Sequence, residues 1–141
     1  MSISASIDLK LISKSNSNFS SKQVINEMVA KGWKIEKNNK IFYLPLGDDD
    51  LYDWQEKNSK DIDIWRIISR KETLQEVIGI NLYWRDTDIG LSTLIFNNTE
   101  ISFSISINRV KINLAEFDIT DINWYLERIV PCFTNGLVFK K

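Results

Sequence analysis

Apolar and polar residues alternate strictly near the start of the chain. Over residues 2–12 five apolar residues separated by serine, aspartate and lysine fall on one face: Ile3, Ala5, Ile7, Leu9 and Leu11. A period of two is the pattern of a β-strand with one buried face. The same alternation, with serine between isoleucine and phenylalanine, recurs over 101–107 and predicts a second amphipathic strand.

The first helix is predicted from Ser21 to Lys31. Ser20 and Gln23 form a capping-box pattern, in which the serine hydroxyl accepts a hydrogen bond from the third helical N–H. Four apolar residues then recur at helical spacing, and Gly32 supplies the C-terminal cap.

Two more helices are predicted further along the chain. Isoleucines at helical spacing favour one over roughly 61–75. The other is expected over 121–133, with an N-cap at Asp118 or Thr120. Pro131 is expected to bend or end it, because proline lacks the N–H that a helix interior needs.

Shorter apolar runs between turn residues predict the other strands. Asn38-Asn39 tolerates positive φ and predicts a tight hairpin between the runs on either side of it. The predicted strands are Trp33–Lys37, Lys40–Leu44, Glu76–Trp84, Leu91–Phe96, Ile101–Ile107 and a short edge strand at Leu137–Phe139, while 108–119 is ambiguous. The order β-α-β-β-α-β-β-β-α-β predicts one α+β domain over residues 1–141. Its central antiparallel sheet is expected to carry two to three helices, the first and last of them on one face.

The composition excludes several kinds of catalytic site. Of 141 residues none is histidine, which removes the commonest general base and metal ligand. The single Cys132 excludes an internal disulfide and a zinc-thiolate cluster, and its apolar neighbours predict a small buried side chain. The five glycines are scattered, so no phosphate-binding loop is present. We therefore expect neither an enzyme nor a bound cofactor or metal.

The overall charge and hydropathy exclude two further kinds of partner. A net charge of -1 without a basic stripe argues against nucleic-acid binding. No apolar run approaches the ~20 residues of a membrane span, and Met1–Ala5 does not begin a secretory signal. We expect a cytoplasmic protein, a monomer or a weak dimer, that binds neither membrane nor nucleic acid.

Negative charge is concentrated in residues 48–63. This segment carries seven acids and two bases, for a charge of -5, whereas the rest of the chain sums to +4. Aromatic side chains within an acidic segment have the composition of an interface hot spot. The predicted partner-binding residues are Asp48, Asp49, Asp50, Tyr52, Asp53, Trp54, Glu56, Asp61 and Asp63. In the alternative interpretation, residues 48–63 are a solvated acidic loop, and Tyr52, Trp54 and the nearby Trp65 fold back over the core.

Two other uses of the chain stay open. The aspartates of 48–53 offer the oxygen ligands that Mg²⁺ and Ca²⁺ prefer, although their spacing is not that of a calcium-binding loop. Trp33, Trp84 and Trp124 lie inside predicted elements and are expected in the core. A pocket lined by them would instead indicate a small ligand-binding or regulatory adaptor domain.

The last third of the chain resembles a known class of proteins. Thr120-Asp121-Ile122-Asn123-Trp124-Tyr125-Leu126 opens a helix after a serine-rich strand, and Glu76–Trp84 is followed by a short turn and another strand. Over 76–133 this is similar to the small immunity proteins of bacterial polymorphic toxin systems, including contact-dependent growth inhibition. The resemblance implies a non-catalytic protein that binds a cognate toxin domain, such as a nuclease, and blocks its active site. Nuclease clefts are basic, so segment 48–63 would be the complementary surface.

Overall fold

The computed structural model describes residues 5–13, 20–96, 100–114, 117–133 and 137–140. The helices in these ranges are α1 (Ser21–Ala30), α2 (Ile64–Thr73) and α3 (Ile122–Ile129), with short 3₁₀ turns at Ser59–Asp61 and Val130–Phe133. The strands are β1 (Ala5–Ser13), β2 (Trp33–Lys34), β3 (Lys40–Tyr43), β4 (Gln55–Asn58), β5 (Ile78–Trp84), β6 (Gly90–Ile95), β7 (Glu100–Ile107), β8 (Lys111–Leu114), β9 (Phe117–Thr120) and β10 (Leu137–Lys140). Residues 2–4 of the predicted first strand lie outside the described residues.

Eight of these strands form one sheet. Seven follow each other in the order β10-β1-β7-β6-β5-β3-β4, and β2 pairs with β5. All of the pairings are antiparallel, and β8 and β9 form a separate two-stranded sheet. The predicted α+β class with a central antiparallel sheet is confirmed, and Leu137–Phe139 lies in the edge strand β10.

One face of the sheet is apolar because the alternating strands are in register. Leu9 pairs with Ile101, Ile101 with Ile95, and Ile95 with Ile78, and all four are buried. Inward residues of the three helices belong to the same hydrophobic cluster as this row; they are Val24, Ile25, Met28, Ile64, Ile68, Tyr125 and Ile129. We call this the front face. The opposite face, here called the back face, carries the serines of β7.

Local capping signals fix α1. The hydroxyl of Ser20 accepts a hydrogen bond from the Gln23 N–H at 3.0 Å, as predicted. The helix ends at Ala30, and Gly32 has a φ of +120°, a conformation that favours glycine.

The start of α3 differs from the prediction. Its N-cap is Asp121, whose carboxylate accepts from the Trp124 N–H at 3.2 Å, rather than Asp118 or Thr120. Both of those residues belong to β9 and pair with β8. The α-helix ends at Ile129, and Pro131 falls in the following 3₁₀ turn, as the missing proline N–H predicts.

The predicted hairpin at Asn38-Asn39 is confirmed at its turn but not along its strands. Lys37 and Lys40 exchange two backbone hydrogen bonds of 3.0 Å, and both asparagines have positive φ. The residues before Lys37 do not pair with β3. Trp33 pairs instead with Trp84 of β5. Trp33 is fully buried and its Nε1 donates to the Arg128 carbonyl at 3.0 Å, so burial of the indole determines where β2 pairs.

Three strands were absent from the predicted order. β4 has the sequence Gln-Glu-Lys-Asn, which shows no hydrophobic period, and it forms by pairing with the edge of β3. β8 and β9 lie in the ambiguous residues 108–119 and the adjoining Thr120, and they pair with each other. Both alternate between polar and apolar residues, as Lys-Ile-Asn-Leu and Phe-Asp-Ile-Thr, but each run has only four residues, too few to define a strand from its period alone.

Candidate protein-docking surface

A loop connects β3 and β4, and we call its residues 45–54 the acidic loop. The chain enters it from Leu44, whose N–H donates to the Gly79 carbonyl at 3.0 Å. A Cβ atom on Gly79 would lie 2.6 Å from the Leu44 side chain and 3.0 Å from Trp54 Cη2. Both side chains therefore press on the back face of β5 where it has no side chain. This contact fixes the two ends of the acidic loop to the sheet.

Asp48 organises the inside of the acidic loop. It is buried, and its carboxylate accepts from the Tyr52 N–H at 2.8 Å and from the Asp53 N–H at 3.0 Å. Its own carbonyl accepts from the Leu51 N–H at 3.1 Å. The loop therefore supplies its own backbone hydrogen-bond partners around one aspartate.

Three residues of the acidic loop other than glycine adopt left-handed backbone conformations. The φ angles of Asp49, Asp50 and Tyr52 are 52°, 56° and 53°. Aspartate tolerates this conformation, whereas for the bulky Tyr52 it costs about 1–3 kcal/mol and persists only where the surroundings impose it. The backbone at Tyr52 is thus held in a conformation that this residue alone does not favour.

The outer surface of the acidic loop is apolar as well as acidic. Leu51 is 77% exposed, and Leu46, Tyr52 and, at the end of α2, Leu74 are also strongly exposed. They make up four of the eight large apolar side chains that are exposed in the described part of the chain. Asp49 and Asp50 are exposed between them.

A cavity lies between the acidic loop and the C-terminal end of α2. It has a volume of about 230 Å³, and its lining includes Asp48, Asp49, Asp50, Leu74 and Glu76. The exposed leucine of α2 and the aspartates of the loop thus share one concave surface. We call the acidic loop together with Leu74 the docking surface.

The structure separates the predicted site residues into groups. Asp49, Asp50, Tyr52 and Asp53 are exposed on the acidic loop, whereas Asp48 is turned inward and Trp54 is half-buried over Gly79. The remaining three lie beyond the loop and are also exposed: Glu56 on β4, Asp61 in the 3₁₀ turn and Asp63 at the N-cap of α2. The set did not include Leu46, Leu51 or Leu74. In the sequence, the position of Leu51 inside the acidic segment and of Leu46 just before it could have indicated the first two.

Two of the acids outside the loop have local partners. Glu56 pairs with Lys40 at 2.7 Å. The Asp63 carboxylate accepts from the Arg66 N–H at 3.3 Å, which caps α2. Exposed pairs and caps of this kind are common on protein surfaces and do not by themselves indicate a site.

The aspartates do not gather as metal ligands. Within residues 5–13, 20–96, 100–114, 117–133 and 137–140, no three carboxylate or thiolate side chains are grouped so that they would hold a metal ion. In the acidic loop both carboxylate oxygens of Asp48 already accept backbone N–H groups.

Cys132 has the buried position that the sequence predicts. It is 2% exposed, and burial raises the pKa of its thiol to about 12. A thiol with that pKa stays protonated at neutral pH and is a poor nucleophile. The side chain therefore serves packing, as a member of the hydrophobic cluster in the 3₁₀ turn after α3.

The three tryptophans expected in the core contact one another in sequence, Trp33 with Trp84 and Trp84 with Trp124. Trp33 is fully buried, and Trp84 and Trp124 are half-buried against the hydrophobic cluster. Their rings meet edge to face, with centroids 5.1 Å apart for Trp33 and Trp84 and 6.2 Å apart for Trp84 and Trp124. The Arg128 guanidinium lies 4.0 Å from the Trp124 ring centroid, a cation–π contact. Trp33 also lines a surface depression of about 620 Å³ beside Arg85.

Comparisons with known proteins do not assign a family. Protein-family models, curated proteins and solved structures gave no match to the chain. None of the helices in the described residues is long and apolar enough to cross a membrane.

Proposed function

We propose that this chain is a non-catalytic immunity protein. Its docking surface binds the basic cleft of a cognate toxin domain and occludes the toxin's active site. The observation that supports this proposal best is the exposure of Leu51, which is 77% accessible on a loop whose backbone is internally hydrogen-bonded.

An exposed leucine on a well-ordered loop suits a binding anchor. Single exposed apolar residues are ordinary, but Leu46, Leu51 and Tyr52 are exposed on the same loop, and Leu74 lines the cavity beside the aspartates of that loop. Because Asp48 holds the loop backbone by hydrogen bonds in the free protein, docking would carry a smaller entropy cost of ordering it. Apolar and aromatic anchors of this kind set the dissociation rate of a complex.

The charge around these anchors supports a basic partner. Asp49 and Asp50 are exposed on the docking surface, within the segment whose charge is -5. An acidic surface is attracted to a basic cleft, and this attraction raises the association rate at low salt. A nuclease toxin has such a cleft because its substrate is polyanionic. The resemblance of residues 76–133 to immunity proteins points to the same kind of partner.

The first test is complex formation with the product of the reading frame next to the gene. We expect co-expression to give a stable complex in which the toxin activity of that partner is lost. A neighbour without a toxic activity, or two proteins that elute separately, would refute the proposal.

The second test separates anchoring from steering by measuring binding kinetics with that partner. The double variant Leu51→Ala/Tyr52→Ala should raise the dissociation rate about 30-fold or more, equivalent to roughly 2 kcal/mol. Asp49→Lys/Asp50→Lys should mainly lower the association rate and weaken its dependence on salt. Ile112→Ala is the matched control for the first change, because Ile112 is exposed on β8 outside the docking surface.

Glu127→Lys is the control for charge reversal, since Glu127 is exposed on α3. Neither control variant should change the kinetics of the complex. If both docking-surface variants bind with unchanged kinetics, the acidic loop is a solvated loop and the binding face lies elsewhere on the chain.

A further inference from the structure

Helix α2 carries a lysine at a position where its hydrophobic period requires an apolar residue. Its buried residues are Ile64, Ile68 and Lys71, which stand on one face at spacings of four and three. Lys71 is 1% exposed, so the whole side chain, including the ammonium group, is removed from water. Burying an ammonium group is unfavourable, and an apolar side chain of similar size would fill the same space without that cost.

The Lys71 ammonium group reaches the start of the acidic loop. Its Nζ donates to the Pro45 carbonyl at 2.7 Å and lies 3.4 Å from Glu76 Oε1. The same Glu76 oxygen accepts from the Gly47 N–H at 2.8 Å. Lys71 and Glu76 therefore hold the two residues on either side of Leu46, at the point where the chain leaves β3.

The backbone at the end of α2 keeps the two side chains together. The Glu76 N–H donates to the Lys71 carbonyl at 2.8 Å, and the Gln75 N–H donates to the Glu72 carbonyl at 3.1 Å. Gln75 has a φ of 59°, so the chain turns back sharply after the helix. This turn places Glu76 against Lys71 independently of the acidic loop.

The hydrogen bonds to Asp48 do not hold the whole of the acidic loop. It contains three left-handed residues other than glycine, and Asp48 binds only the second half of the loop, at Tyr52 and Asp53. The Lys71–Glu76 pair holds the first half, at Pro45 and Gly47. The two sets of hydrogen bonds involve different loop residues and complement each other.

We propose that Lys71, together with Glu76, is a positioning residue that holds the acidic loop in its docking conformation. The role in docking rests on the function proposed above, whereas the positioning of the loop does not. An ion pair whose ammonium group is buried can select one conformation even where it adds little to stability, and here the selected element is the loop.

Amide hydrogen exchange of the free protein, followed by mass spectrometry, tests this role without any partner. Lys71→Met keeps an unbranched side chain and removes the charge. We expect exchange of the peptide covering 46–54 to accelerate roughly tenfold or more, since a charged hydrogen bond to the loop is lost. Peptides from β5 to β7 should keep their protection. Lys57→Met is the matched control, because Lys57 is exposed on β4 and the same charge is removed.

Glu76→Gln gives a second variant in case Lys71→Met does not fold. It keeps an oxygen acceptor for Gly47 and removes the charge that faces Lys71. Amide exchange over 46–54 should therefore accelerate, but less than in Lys71→Met. Unchanged exchange over 46–54 in a folded variant would overturn the inference. An equal acceleration in all peptides would also overturn it, because it would show that the pair only stabilises the fold.

The partner of the co-expression test then distinguishes the two proposals. If Lys71→Met loosens the loop and lowers the association rate with that partner, both are supported. If the loop loosens and the wild-type protein binds no toxin, the positioning role stands and the proposed function fails.

Discussion

Replacing Gly79 by alanine tests whether the acidic loop is fixed to the back face of the sheet. The added Cβ would lie 2.6 Å from Leu44 Cγ and Cδ1 and 3.0 Å from Trp54 Cη2. Carbon atoms do not approach so closely, and Leu44 is 1% exposed, so its side chain has little room to retreat. The new methyl group must displace the entry to the loop or distort β5.

The size of the effect follows from overpacking. Inserting a carbon into a well-packed site costs about 1–3 kcal/mol, and we expect Gly79→Ala to lie in that range. For a chain of this length the melting temperature should fall by about 3–5 °C per kcal/mol. Removing the clash should remove the cost, so Gly79→Ala in a Leu44→Ala background should cost less than about 1 kcal/mol.

Urea denaturation of the four proteins of this cycle measures the coupling between the two positions. Gly47→Ala is the matched control, because a Cβ there meets nothing within 4 Å while the φ of +78° disfavours alanine. Its cost should therefore be the same with Leu44 or Ala at position 44. If Gly79→Ala is neutral, or costs the same in both backgrounds, the loop does not press on β5 and the placement of the docking surface is refuted.

Three further predictions concern single buried groups. Burial raises the pKa of Cys132 to about 12 from its ordinary 9.0, so the folded thiol keeps a proton that the unfolded chain loses. The free energy of unfolding should consequently fall as pH rises above about 9, and Cys132→Ala should reduce that fall between pH 9 and 10 in urea titrations. Asp48→Ala should cost about 1–3 kcal/mol in the same assay, since the N–H groups of Tyr52 and Asp53 lose their acceptor. Trp33→Ala should cost about 3–5 kcal/mol, because the indole is fully buried; a loss below 1 kcal/mol would contradict its place in the core.

Elements governed by neighbouring residues were predictable from the sequence. The N-cap at Ser20, the turn at Asn38-Asn39 and the alternation over 101–107 each depend on residues a few positions apart. The N-cap of α3 differs from the predicted one. Thr120 and Asp121 are adjacent and both are good N-caps, but Thr120 pairs with β8, so Asp121 caps the helix. Local preference identified the helix but did not choose its first residue.

The pairing partners of the strands were harder to predict from the sequence. The turn at Asn38-Asn39 fixed only the bridge between Lys37 and Lys40, and burial of Trp33 then directed β2 to β5. A tight turn sets the register close to itself, whereas the partner of a strand further away depends on which side chains the core accepts. β4 shows the opposite case, since it has no pattern of its own and takes its conformation from β3.

The sequence by itself determined the chemistry of this protein: its lack of histidine, its single cysteine, the concentration of acids in 48–63 and the hydrophobic period of its main elements. Only the tertiary structure decided how that segment is used. It turned Asp48 inward, left Leu51 in solvent and brought the buried Lys71 beneath Pro45. Composition and periodicity depend on residues close together in the chain. The exposure of a loop residue depends instead on contacts with α2 and β5, which lie some 20 to 30 positions away and meet the loop only when the sheet has formed.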